Sequence, residues 1–550
     1  MRLLGAAPFF IVLLCVVAFA GSAVLGGALP APLPLFPADN WWNIDISAAP
    51  VDPNSAAFIG FVGSTIGLHP DFGAEQSPGG AYINGIPYIV VDGSQPKKTV
   101  EFEYADESDG DGVPFYPIPD EAITQPHWIE SGPPGNVDLR TSADRHMLIV
   151  DRDNRLLYEL YNVFYDGTRW HAGSGAFFDM KTNNRRPDGW TSADAAGLAI
   201  LPGLVRYDEV FGSDEIRHAF RMTVRATNSY YVYPASHRAG SNPLALPMGA
   251  RLRLKSDFNI SGFSAPVQKI LRAMKKHGMI VADNGSDMYF TGTYDPRWVN
   301  GQFNDEFRKV TAASFEVVKL GYRSPSVTFF PHVVVGGGYS TAISLVNTGD
   351  TEASGSIYLW NGAGTPLPTT LAADGTAIPF AIRPAGALNL TAGPVTLGQP
   401  ATSGWARIES LGGTLSGVAT FYWADAGTLK TSAGVFASQQ TDSAVLPVDN
   451  NDSEERYTGF AIANPGTGPV NIRLMLRDES GAQRYDLAPA SLNPLPPGGQ
   501  VATFVHQLLD GARKFRGTMS LSTDSGGTFA VVALVQSRGQ ITAIPVVSGR

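Results

Sequence analysis

Residues 329–349, FFPHVVVGGGYSTAISLVNTG, and residues 445–466, VLPVDNNDSEERYTGFAIANPG, are two versions of one pattern. Pro331 aligns with Pro447, Thr341 with Thr458 and Asn347 with Asn464. Further on, GTLSGVATFY from Gly413 matches GTFAVVALVQ from Gly527. The offset, roughly 115 residues, is that of one β-sandwich and far exceeds a solenoid or propeller unit. Short alternating runs such as GSIYLWN and NIRLML, set between Gly, Asn and Asp turns, read as strands. The repeat predicts two tandem antiparallel β-sandwiches, over 325–440 and 441–550.

Upstream, over 37–322, the chain changes character. It is rich in aromatics, arginine and aspartate, and holds seven of the nine histidines: His69, His127, His146, His171, His218, His237 and His277. Its runs are again strand-length, which predicts a β-rich domain, sandwich or jelly-roll-like, with one clear helix. HMLIVDRDNRLLYELY reads as a hairpin turning at Asp151–Asn154, and MIVADNGSDMYFTG as a second, because Asn284-Gly285 suits a type I′ turn. The helix is SAPVQKILRAMKKHG. Ser264 stands at its N-cap, Val267, Ile270, Leu271 and Met274 fall on one face, and its basic last turn ends on Gly278.

The whole chain has 550 residues, enough for several cores. At 44% hydrophobic and 16% charged it is neither disordered nor membrane-filling, and 60 glycines with 40 prolines fit many turns. The charge of −10 includes no basic run that could follow a phosphate backbone, so nucleic acid is not expected as a partner. The start, MRLLGAAPFFIVLLCVVAFAGSAVLGGA, reads as a signal peptide over 1–28, with small-residue cleavage sites at Ala18-Phe19-Ala20 and near Ala28. A proline-rich lead, 29–36, follows. Secretion to the cell surface or beyond is expected, with no membrane span after cleavage. The single cysteine, Cys15, lies inside the signal, so the mature chain offers no disulfide, thiolate metal site or cysteine nucleophile.

Strand parity separates structural from chemical candidates. In IRHAFRMTVR, His218 shares a face with Phe220, Met222 and Val224, and so belongs to a core. Arg217, Arg221 and Arg225 share the other face and need solvent, carboxylates or an anionic ligand. His146 likewise shares a face with Leu148 and Val150, and Glu159 is a half-buried carboxylate awaiting an arginine. No Walker loop, dinucleotide fingerprint, nucleophile elbow or zinc spacing occurs. Asp106, Asp109 and Asp111 lie in a Gly-containing loop of calcium-binding composition, but the EF-hand spacing fails there, and no cofactor is otherwise expected.

What remains is the segment WHAGSGAFFDMKTNNRRPDGWTSADAAG, 170–197, and three neighbouring runs. They supply His171, Asp179, Asp194, Arg206 and His237 as candidate catalytic groups, and Trp170, Arg185, Trp190, Tyr231 and Trp298 as candidate substrate contacts, to which the arginine row adds Arg221. Aromatics interleaved with carboxylates and arginines suit sugars. Hydrolysis of a glycosidic bond needs two carboxyl groups; lysis of a uronate needs a His or Tyr base beside an Arg. Thr191 or Ser192 opens a capped helical turn in this reading, leaving Asp179 and Asp194 at two edges of one loop.

The motifs FPADNWWN, LHPDFG, YPIP, DRHMLIVDRDNRLLYELY, TSADAAGLAILPGLVRYDEV, IRHAFRMTV and ADNGSDMYFTG, within about 36–320, closely resemble a widespread family of secreted, functionally uncharacterised bacterial proteins. That resemblance implies secretion and a compact β-rich domain, and carries over no reaction and no catalytic residue. The repeats resemble paired β-sandwich modules appended to secreted proteins, notably of Acidobacteria. Two functions are consistent with the residues. One is a polysaccharide-cleaving enzyme, hydrolase or lyase, with accessory sandwiches; the other is a noncatalytic surface protein that binds glycan or matrix.

Overall fold

A computed structural model describes residues 23–349, 351–523 and 527–548. The chain is mainly β, 41% strand against 11% helix. It divides into two compact units, Met1–Ser324 and Pro325–Arg550. Most of the expected signal peptide, including the Ala18-Phe19-Ala20 site, lies outside the described residues. Residues just beyond it belong to the fold: Val24–Leu25 pairs antiparallel with Tyr88–Val91, and the Tyr88 hydroxyl donates to Gly27 O at 3.1 Å. A boundary at Ala28 would strip this edge strand, whereas one after Ala20 leaves it whole. The proline-rich lead is also packed down, with Leu35 and Phe36 buried and Arg155 donating to Leu35 O at 2.7 Å.

The second unit explains the repeat. Each half is a sandwich of two antiparallel sheets with one strand order. In the first, Ser326–Val335, Thr402–Leu411, Ala353–Asn361 and Ile378–Ile382 face Ala387–Ala392, Tyr339–Asn347, Leu415–Asp425 and Thr428–Phe436. In the second, Ser443–Asp449, Arg516–Thr523, Ile472–Asp478 and Gln483–Leu487 face Gln500–Phe504, Arg456–Ala463, Ala530–Ser537 and Gln540–Ile544, with Val547–Ser548 added at an edge. The aligned residues do the same work in both. Thr341 is wholly buried and its hydroxyl donates to Val334 O at 2.9 Å, and Thr458 accepts from Asp449 N at 2.9 Å. Asn347 donates to Thr351 O and Ile382 O, and Asn464 to Gly468 O and Leu495 O, all at 2.7–3.0 Å. A buried amide that ties a strand end to two loops must keep those partners, since an orphaned buried group costs about 1–3 kcal/mol. That requirement keeps the repeat visible.

The first unit is layered. A five-stranded sheet, in the order Val24–Leu25, Tyr88–Val91, Met147–Asp151, Leu156–Tyr161, Ser174–Asp179, has a core on each face. One core, around Ile89, Ile149, Tyr158 and Leu160, packs on a small sheet that includes Lys98–Phe102 and Trp170–Ala172. The other, around Leu148, Val150 and Leu157, packs on residues 193–204. A six-stranded mixed sheet runs Phe315–Val317, Arg251–Leu254, Met279–Asn284, Phe220–Val224, Tyr289–Tyr294, His69–Gly73. Its far face buries the helix Ala265–Lys276 through Val267, Ile270, Leu271 and Met274.

Several sequence expectations need correction. Ser264 holds the N-cap position, but its hydroxyl donates to Glu306 at 2.8 Å instead of capping the helix. Met147–Asp151 and Leu156–Tyr161 form the expected hairpin. The pair around Asn284-Gly285 does not. Phe220–Val224 lies between those two strands, parallel to the first and antiparallel to the second. Thr191 and Ser192 start no helix: the Ser192 hydroxyl donates to Leu198 O at 2.6 Å and accepts from Asp194 N, closing an irregular turn. Gly197, at φ +73°, completes it, and a Cβ there would meet Ser236 Oγ at 1.9 Å.

Candidate functional site

Residues 191–204 are held between the two large sheets of the first unit by polar groups from both. From the five-stranded sheet, Ser174 donates to Ser192 O at 2.7 Å and His146 Nε2 donates to Ala193 O at 2.9 Å. The Glu159 carboxylate accepts from Ile200 N and Leu201 N at 2.8–3.0 Å. From the six-stranded sheet, Arg221 forms a two-pronged pair with Asp194, Nε to Oδ2 at 2.7 Å and Nη2 to Oδ1 at 2.8 Å. The Asp194 side chain is 0% exposed, which removes it from contact with a substrate. Glu159 is also wholly enclosed, and backbone amides, not the anticipated arginine, are its partners. Burial pushes its carboxyl up to about 7.

Beside this anchor, the six-stranded sheet presents two short rows of side chains on one face. Asp71 pairs with Thr291, whose hydroxyl accepts from Arg221 Nη1 at 2.9 Å; one step along, His69 pairs with Tyr289, and Tyr289 with Thr223. A β-bulge after Met222 brings Asp283 into register with Thr223. Without the extra residue, Asp283 would point with Val281 into the opposite core; with it, the carboxylate accepts from Arg221 Nη2 at 3.1 Å. Burial and the Asp194 charge raise Asp283 to about 7, against the pull of Arg221.

Glu130 completes the cluster from the loop before the hairpin. Its carboxylate accepts from His146 Nδ1 at 2.6 Å and from His146 N at 3.1 Å. Arg145, wholly buried at φ +57°, fixes that loop by donating to Pro133 O at 2.6 Å and Pro134 O at 2.8 Å. Both His146 nitrogens face acceptors, so both carry protons and the ring is an imidazolium. Burial opposes that charge, but Glu130 outweighs it and lifts His146 to about 9. Burial likewise raises Glu130, and the imidazolium overcomes it, holding the carboxylate below its ordinary range. Asp71 is displaced the other way, raised first by burial and then by the Glu130 charge. Asp71 is exposed, and Glu130 and Asp283 are 23% and 24% exposed, so three accessible carboxyls stand around the His146 and Arg221 cations. Tyr161, half-buried against His146 with ring centroids 5.5 Å apart, is an aromatic neighbour. Glu130, Asp144 and His146 have the proximity of a metal-ligand set, yet both His146 nitrogens already donate, which leaves no lone pair for an ion.

The pairing carries a pH consequence. A histidine raised from 6.5 to about 9 on folding contributes stability that is complete below pH 6.5 and lost as pH rises through 9. Glu159, also raised, has the same sign, its contribution declining as pH rises from 4.5 to about 7. Urea unfolding of the first unit is expected to show stability falling across pH 5–9. The His146 contribution is on the order of 3 kcal/mol, and His146→Gln should flatten the alkaline half of that slope.

Most residues singled out from the sequence lie elsewhere. Trp170 is buried in the core next to Tyr165, and Trp298 is buried with its indole N–H donating to Thr293 O at 3.1 Å; neither faces a ligand. His171 pairs with Asp166 at 2.9 Å on the small sheet. Asp179 ends its strand and accepts from Lys181 N at 3.0 Å, in a local turn. It shares no partner with the enclosed Asp194, so the two do not form an opposed pair. Arg185 pairs with Asp188 and donates to Ala235 O at 2.9 Å, Trp190 lies under the Arg186 guanidinium, and Arg206 pairs with Glu209. His237 Nδ1 donates to Ala195 O at 2.9 Å, and Tyr231 is half-buried nearby in the chain. Of the three arginines in one phase, Arg217 donates to Leu33 O and Arg225 pairs with Asp287, and Arg221 is the one that joins the carboxyl cluster. Asp109 is taken by Arg186 and Phe177 N and Asp111 accepts from Phe102 N at 3.2 Å; with Asp106 they form no ligand set among the described residues.

Asp71, Glu130 and Asp283 were not singled out. An aspartate in HPDFG and a glutamate in WIESG carry no local signal, and strand parity alone sends Asp283 to the wrong face. No protein-family model matches the chain, and no curated protein matches it significantly.

Proposed function

We propose that the first unit hydrolyses glycosidic bonds in an extracellular polysaccharide, with Asp71 as the acid and Glu130 as the ionised carboxylate. What supports this reading is two accessible carboxyls in unlike settings: Glu130 accepts from His146 Nδ1 at 2.6 Å and is held ionised by it, whereas Asp71 makes no ion pair among the described residues and is raised. Environments that push two carboxyls apart assign their roles. Asp71 would give its proton to the glycosidic oxygen as the bond to the anomeric carbon breaks. Glu130 would take a proton from the water whose oxygen bonds that carbon. Lysis fits less well, because it needs a cation for a uronate, and Arg221 is committed to Asp194, Asp283 and Thr291. Secretion, and a binding or spacing role for the sandwiches, belong to the same proposal.

The test is incubation of the full chain, from residue 21, with a panel of neutral, anionic and cationic polysaccharides. New reducing ends without ultraviolet-absorbing unsaturated ends are the expected products. Unsaturated ends would make it a lyase, and binding without either product would leave the noncatalytic glycan-binding role.

A further inference from the structure

We propose that the outer face of the Tyr289 ring, whose other face is backed by His69, is the platform on which an uncharged sugar ring sits beside Asp71, a proposal that rests on the hydrolase reading. The two rings lie 4.1 Å apart at 26°, and both are half-buried. Strand register places them one step from the row Asp71, Thr291, Arg221 and on the same face, so a ring on the platform adjoins the Asp71 carboxyl. Neither ring has a side-chain hydrogen bond among the contacts of the described residues. Burial holds His69 below its ordinary range, so near neutrality it is an uncharged aromatic surface.

Charge selects the ligand class. With Asp71 in its acid form and Asp283 raised, Glu130 and Asp194 are balanced by the His146 imidazolium and Arg221, and the guanidinium is enclosed by its own partners. No cation is left over to pair with an anionic glycan. Thr223 and the Asp283 carboxyl continue the His69–Tyr289 row with groups that hydrogen-bond hydroxyls. An aromatic face followed by short polar groups matches a pyranose, whose apolar side stacks while its rim is hydrogen-bonded.

The experiment uses the full chain carrying Asp71→Asn, to separate binding from cleavage, in affinity electrophoresis through β-1,3-glucan, xylan, arabinan, polygalacturonate and chitosan. Retardation by a neutral polysaccharide is expected, weakened about tenfold by Tyr289→Ala and retained by Tyr289→Trp and Tyr289→Phe. In the chain with Asp71 intact, Tyr289→Ala should raise KM by a similar factor while kcat changes less. Circular dichroism and the urea midpoint of Tyr289→Phe check that the fold is kept. Unchanged binding and KM in Tyr289→Ala would overturn the platform and leave the hydrolase reading standing. Tyr289-dependent binding with no cleavage by the wild-type chain would do the reverse. Preference for polygalacturonate or chitosan would overturn the uncharged class, and no retardation by any of the five would overturn both proposals.

Discussion

Asp71→Asn is expected to lower the rate of glycan cleavage by about 10²–10⁴-fold, the usual contribution of a positioned general acid. The loss should be far smaller on an aryl glycoside with an acidic leaving group, which departs without a proton. Stability should hold or rise slightly, because the amide cannot ionise beside Glu130. Glu130→Gln differs in a measurable way. It strips His146 of the carboxylate that keeps it charged, so it should cost both activity and the alkaline part of the stability profile. Equal loss on activated and natural substrates in Asp71→Asn would remove Asp71 from the acid role.

Arg221→Met is expected to destabilise the first unit by about 3–5 kcal/mol, the cost of leaving a buried charge without its partner. Asp194 has no exposure through which water could replace the guanidinium, and Asp283 and Thr291 lose a donor in the same step. The pair joins the six-stranded sheet to residues 191–204, so the damage should spread to the contacts of Ser174, His146 and Glu159 with that segment. The double variant Arg221→Met/Asp194→Leu should recover much of the loss, since removing both charges also removes the desolvation penalty. Urea unfolding of the four forms closes the cycle. A single-variant loss under about 1 kcal/mol would show that the pair does not anchor the segment.

How much was legible in advance depended on range. The repeat in the second unit was readable because Thr341, Thr458, Asn347 and Asn464 act on neighbours within their own sandwich, and buried polar groups hold their identity. The helix Ala265–Lys276 and the hairpin Met147–Tyr161 were readable because periodicity and turn chemistry act within a few residues. The same local logic misread Asn284-Gly285. A turn sequence specifies that the chain reverses, not that the flanking strands pair, and Phe220–Val224 occupies the place between them.

The opening segment of candidates, 170–197, shows the same limit. Its charges are taken up by partners within the protein: Asp194 by Arg221, Arg186 by Asp109, Arg185 by Asp188 and Asp179 by Lys181. The candidate site is assembled instead from Asp71, Glu130 and Asp283, residues far apart in the chain and unremarkable where they stand. Sequence alone determined the β class, the tandem sandwiches and the strand-length cores, because these follow from local periodicity and repetition. Tertiary structure alone decided the site, because strand order, register and one β-bulge set which carboxyls share a face, and burial beside Arg221 and His146 sets their charge.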